Sequence, residues 1–161
     1  MKFAATLAAA FVAFGTIAHA DEVIRHPIPN SDFPILQAVE VPGDATTVYL
    51  SGVVPAKKAD AGDATGIEAY GNMEEQTVSV LTRIEKTLVS LDLSMGDVIK
   101  MQAFLVAEDG QPVDFSGFMA GYTQFFATEA QPNVPTRSAM VVDALASPAW
   151  LVELEVTAVR P

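Results

Sequence analysis

Residues 72–107, "NMEEQTVSVLTRIEKTLVSLDLSMGDVIKMQAFLVA", change their period partway along, and that change decides the fold class. In the first half Thr77, Leu81, Ile84, Leu88 and Leu91 recur at three- and four-residue spacing, with Glu74, Glu75, Arg83, Glu85 and Lys86 largely between them. An α-helix returns to the same face at that spacing, so the pattern predicts an amphipathic helix of about five turns. Asn72 with Glu75 three residues later forms a capping-box signature at its start. The helix is expected to end near residues 92–94. "DVIKMQAFLVA" then reads as a buried strand, turning at Glu108-Asp109-Gly110.

Outward from this pair, "ILQAVEV" (35–41) alternates in part and stops at Pro42-Gly43, and "TTVYLSGVVP" (46–55) is a clearer strand stopped by Pro55. The small, polar stretch 56–71 between them and the helix is a loop. Downstream, "VDFSGFMAGYTQFFAT" (113–128) places Phe115, Phe118, Met119, Tyr122, Phe125 and Phe126 at helical spacing, a second helix whose aromatic face is read first as core. After the breaker "QPNVP" come two strands, "TRSAMVVDAL" (136–145) and "AWLVELEVTAVR" (149–160), joined at Ser147-Pro148. The order strand, strand, helix, strand, helix, strand, strand implies an α+β two-layer sandwich, a mixed sheet with two helices on one face. The other sheet face reads as too apolar for water, which implies an oligomer packed sheet against sheet.

Residues 1–20 are set apart from this domain. "MKFAATLAAAFVAFGTIAHA" has a basic start at Lys2, an apolar run from Phe3 to Phe14 and the small-x-small site Ala18-His19-Ala20, the build of a secretory signal peptide. A membrane anchor needs close to ~20 uninterrupted apolar residues, and Gly15, Thr16 and His19 end the run sooner. The expectation is cleavage before Asp21, a periplasmic or secreted bacterial protein, a single domain over residues 21–161 and no membrane association in the mature form. The segment 21–34, with three prolines and no period, reads as an extended arm.

Losing Lys2 leaves eight basic residues against twenty acidic ones, a net charge of −12. Nucleic acid is bound chiefly by neutralising phosphates with Lys and Arg, so a nucleic-acid partner is disfavoured. Lys57-Lys58 sits in the loop among Asp60 and Asp63 and reads as solvated. There is no cysteine, and His26 is the one mature histidine, which argues against metal sites of the usual nitrogen and sulfur kind. The acidic loop "DAGDATGIE" lacks oxygen ligands at Gly62 and Ala64, where a calcium loop needs them. No metal and no cofactor is expected.

Two residue types carry the chemistry. Arg137 lies in a segment that otherwise enters the core, and an arginine there needs an anionic partner. Glu153 and Glu155 alternate with Val152, Leu154 and Val156, so both carboxylates share one strand face. With Arg137 as the basic residue of the strand taken to adjoin them, two readings stand: a structural ion pair, or a site in which Arg137 binds a substrate carboxylate while a glutamate handles a water.

These motifs resemble a known family. "VPTRSAMV" is similar to the "PARS" signature, and "LVELEVTAVR" to the C-terminal "VEIEAIAV" strand, of the RidA/YjgF family of small trimeric imine deaminases. "LQAVEV", "VYLSGVVP", "EEQTVSVLTRIEKTL", "DVIKMQAFL" and "YTQFF" fit the remaining elements in order. The resemblance implies a chorismate-mutase-like fold, a homotrimer with three intersubunit clefts, and a small-molecule carboxylate ligand. It places Arg137 as the carboxylate anchor, Glu153 at the hydrolytic water, and Ser51 and Gly52 along the pocket. The implied activity is cofactor-free hydrolysis of small 2-imino acids to 2-oxo acids and ammonia; the alternative is a non-catalytic trimeric binding protein for small carboxylates. Three positions depart from the pattern: Ile35 stands for a tyrosine, Val53 for a glutamine and Met119 for an asparagine, and each change makes the pocket more apolar.

Overall fold

The computed structural model describes residues 22–108 and 110–160. The segment 1–20, read above as a leader, lies outside the described residues. Six strands, β1 (Ile24–Pro27), β2 (Leu36–Glu40), β3 (Thr46–Tyr49), β4 (Val98–Leu105), β5 (Thr136–Val141) and β6 (Val152–Arg160), form one sheet in the order β1-β2-β5-β4-β6-β3. Helices α1 (Met73–Ser90) and α2 (Phe115–Tyr122) complete an α+β fold. β5 is parallel to β2 and β4, and the other pairs are antiparallel, so the sheet is mixed as expected.

α1 starts where the sequence places it. The Asn72 side chain accepts from the Glu75 amide at 3.0 Å, and the Glu75 carboxylate accepts from the Asn72 amide at 2.9 Å. It ends in a Schellman turn: Asp92 takes φ +57, and the amides of Leu93 and Asp92 reach back to the carbonyls of Leu88 and Val89. Thr77, Leu81, Ile84 and Leu88 are buried as read, but Leu91 is 39% exposed beyond the last turn. Gln76, polar by sequence, is fully buried; its amide nitrogen donates to the carbonyls of Gly71 and Ala149 and its oxygen accepts from the Leu151 amide. All its capacity for tying α1 to the start of β6 is thereby used. Gly121 of α2 faces Thr77 so closely that a Cβ there would lie 2.7 Å from the threonine Cβ.

Four expectations need correction. The proline-rich arm is not merely extended: its residues 24–27 pair with β2 as β1. The one proline in this strand, Pro27, is tolerated because it stands at the strand's end, on a sheet edge. α2 is shorter than the aromatic repeat, closing at Tyr122 with Phe125 and Phe126 in a following turn. β5 does not adjoin β6, since β4 runs between them. The sheet face away from the helices is also less apolar than read. Register puts Lys100, Gln102 and Phe104 of β4, Glu153, Glu155 and Thr157 of β6, and Ser138 and Met140 of β5 on it, and β4 alternates buried and open positions.

Candidate functional site

Arg137 pairs in register with Met101, which is fully buried and in turn pairs with Val156, so all three side chains stand on the helix-covered face. The guanidinium carbon lies 4.3 Å from the ring centre of Tyr122, 5.0 Å from Phe118, 5.5 Å from Phe33 and 6.0 Å from Phe115. Phe118 and Tyr122 belong to the buried stripe of α2, continued by Phe126 stacked on Tyr122 at 4.9 Å. The stripe is core, and its ring faces also hold the cation.

Two guanidinium nitrogens differ in their surroundings. Nη2 donates to the Met119 sulfur at 3.2 Å, while Nη1 is buried and has no partner among the described residues. Burial pushes the Arg137 pKa below its ordinary value, and the nearby Tyr122 opposes that shift; a guanidinium keeps its charge at neutral pH nonetheless. Burial likewise pushes the Tyr122 hydroxyl upward, with Arg137 opposing. That hydroxyl donates to the Pro34 carbonyl at 2.9 Å, which fastens the loop carrying Phe33 and Ile35 over α2. The ion pairs formed among the described residues are His26–Glu40 and Lys58–Glu75, so among them the structural pairing of Arg137 with a glutamate is not made.

Glu153 is elsewhere. It alternates with fully buried Val152 and Leu154, pairs with Phe104, and therefore faces away from the helices. It lies against Gly52, where a Cβ would be 2.0 Å from its Oε1. Ser51 and Gly52 are together opposite the single residue Glu155, because the Leu50 amide binds the Val156 carbonyl and Val53 exchanges both bonds with Leu154. This is a β-bulge, and the glycine in it leaves room for the carboxylate. The candidate residues thus gather in two groups, Arg137 with Met119 beneath the loop of Ile35, and Glu153 with Ser51 and Gly52. A single chain holds the groups on opposite faces of its sheet.

Sequence reasoning missed Phe33 and the cage made by the α2 aromatics. Only the coincidence of an aromatic just before "PILQ" with the α2 stripe pointed that way. A cleft of about 490 Å³ adjoins Phe115, but its walls carry the carboxylates of Glu108 and Asp114 and, among the described residues, no basic side chain, so it disfavours an anion.

An α+β sandwich with this mixed six-stranded sheet and two helices matches a known architecture. The family model described as Endoribonuclease L-PSP matches residues 29–160. "Putative reactive intermediate deaminase TdcF" of Escherichia coli K12 is 32% identical over 132 residues, spanning 82% of this chain and 91% of the relative. A crystal structure of E. coli TdcF with bound serine aligns over 85% of this chain and 94% of its own, with a TM-score of 0.57 and 29% identity. YyfB of Yersinia pestis, a Rid-family protein of unknown function, shares the fold at a TM-score of 0.63, 23% identity and coverage of 84% and 97%. The chain belongs to the YjgF/Rid family.

Proposed function

We propose that the protein hydrolyses 2-imino acids to 2-oxo acids and ammonia at a site assembled between subunits of a homotrimer. The observation that carries this reading is the half-buried, charged Arg137, whose Nη1 is shut from solvent and has no partner among the described residues. A charged donor shut from solvent and left so is costly, and an arriving carboxylate relieves the cost. The serine bound in TdcF, a carboxylate-bearing amino acid, is consistent with such a ligand.

An imine carbon is electrophilic without further activation, so the reaction calls for placement, charge complementarity and a proton route rather than a cofactor. In this reading Arg137 holds the carboxylate. Glu153, brought to it by the neighbouring subunit, takes a proton from the attacking water and hands it to the imine nitrogen, then carries the adduct's hydroxyl proton to the same nitrogen, so the C–N bond breaks and ammonia leaves as the C=O forms. Ser51 and Gly52 keep that carboxylate in place from the bulge. The trimer also covers Tyr49, 79% exposed on the open sheet face, and Met140 at 36%. The polar share of that face, Lys100, Gln102 and the two glutamates, fits an interface that carries a site.

The apolar contacts of Arg137 with Met119 and the rings favour one second reading, a binding protein that keeps the anchor without turnover. A coupled ammonia assay on imines generated in situ from several amino acids separates the two. Turnover that disappears in Arg137→Ala and Glu153→Gln supports the enzyme. Binding of 2-oxo acids without turnover of any imine supports the second reading. We further propose export: residues 1–20 act as a cleaved leader. Intact-mass analysis of protein from the native host then gives a chain starting at Asp21, and a retained Met1 contradicts export.

A further inference from the structure

We propose that Phe33 is a gate over Arg137 that makes the site select carboxylates bearing an aromatic or other large apolar side chain. The inference rests on the reading of Arg137 as carboxylate anchor and adds the class of ligand. Nη1 is shut off from solvent, so a carboxylate oxygen reaches it only if a neighbouring group moves. The rings are not equally free to do so. Phe118 and Tyr122 are fully buried, and Tyr122 is further held by its stack on Phe126 and its bond to the Pro34 carbonyl. Phe115 is 39% exposed but sits in the first turn of α2, which Asp114 caps, with its ring 5.7 Å from Phe118. Phe33 is 44% exposed, lies in the loop before β2 and meets the cage only from outside. It is the ring that yields.

Because the Tyr122 hydroxyl pins Pro34, the opening is a swing of the Phe33 side chain rather than a lifting of the loop. Swinging it away strips the guanidinium of one ring face and turns apolar surface toward water. A ligand with only a methyl group beyond its carboxylate replaces neither contact. A ligand with a phenyl or long aliphatic group covers the displaced ring and lies along Met119, whose thioether, a weak acceptor already engaged by Nη2, offers little to a polar substituent. Selectivity follows from what refills the gate.

The test is calorimetric titration of the full chain with pyruvate and with phenylpyruvate, in wild type, Phe33→Ala and Arg137→Ala. Wild type is expected to bind phenylpyruvate about tenfold or more tighter, and Phe33→Ala to bring the ratio to within about threefold by tightening pyruvate. Equal affinities in wild type, or a ratio unmoved by Phe33→Ala, overturn the gate while leaving the anchor intact. Binding of both acids unchanged in Arg137→Ala, or no binding of either by wild type, overturns the anchor itself. Should Phe33→Ala fail to fold, Phe33→Leu carries the same comparison.

Discussion

At the scale of the residue, Arg137 asks why a chain keeps a half-buried guanidinium without a carboxylate beside it. The rings of Tyr122 and Phe118, at 4.3 and 5.0 Å, answer in part, since a desolvated cation–π contact is worth about 1–2 kcal/mol. They offset the burial without spending the donors, which stay available to a ligand. Replacing the arginine with a similarly sized apolar residue therefore leaves stability intact or improves it. We expect Arg137→Met to melt no lower than wild type in a thermal scan while losing ~2–4 kcal/mol of affinity for a 2-oxo acid by calorimetry. A large fall in melting temperature with affinity retained contradicts this. Tyr122 gives a second expectation. Its hydroxyl is raised above the ordinary value of 10.0, so the neutral form is favoured in the folded chain. The stability it confers is complete below pH 10 and is lost as the pH climbs through the raised value, because the unfolded chain ionises first. Denaturant titrations above pH 10 should show stability falling, and Tyr122→Phe should reduce that slope.

At the scale of the element, local patterns were legible wherever a short-range rule decides. The capping box of α1, its buried face and the position of β4 follow from period and propensity, whereas β6 begins at Val152 rather than at Ala149. Strand neighbours did not, because pairing is a long-range choice that no local pattern encodes, and so β4 between β5 and β6 was missed and Arg137 was assigned to the wrong neighbour. Gln76 was missed for a related reason: a buried amide is acceptable only when distant carbonyls of Gly71 and Ala149 happen to meet it. At the site, Arg137 and Glu153 were legible as chemistry, whereas the cage and the opposite facing of the two residues needed the fold. Two variants probe these elements. Asn72→Ala removes the cap of α1 and should cost about 1 kcal/mol in equilibrium unfolding; no change contradicts the role of the box. Gly52→Ala sets a methyl where the Glu153 carboxylate lies, and a carboxylate tip can move aside cheaply. Turnover should therefore fall sharply while the melting temperature barely shifts, and unaltered turnover would separate Glu153 from the reaction.

At the scale of the whole molecule, the sheet itself is the obstacle to a one-chain site. Arg137 stands on the helix side with Met101 and Val156, Glu153 on the other with Phe104, and β4 lies between their strands. Cooperation between them needs a second copy, and a closed ring of three copies supplies it three times over. The direct measurement is complementation. Differently tagged Arg137→Ala and Glu153→Gln chains, each inactive alone, are co-expressed, the mixed assemblies are isolated through both tags, and imine hydrolysis is followed by ammonia release. If each site draws its arginine from one subunit and its glutamate from the next, every mixed trimer regains one of its three sites, so the doubly selected assemblies recover about a third of the wild-type activity. Mixed assemblies as inactive as either parent, from chains that demonstrably associate, would contradict a site shared between subunits.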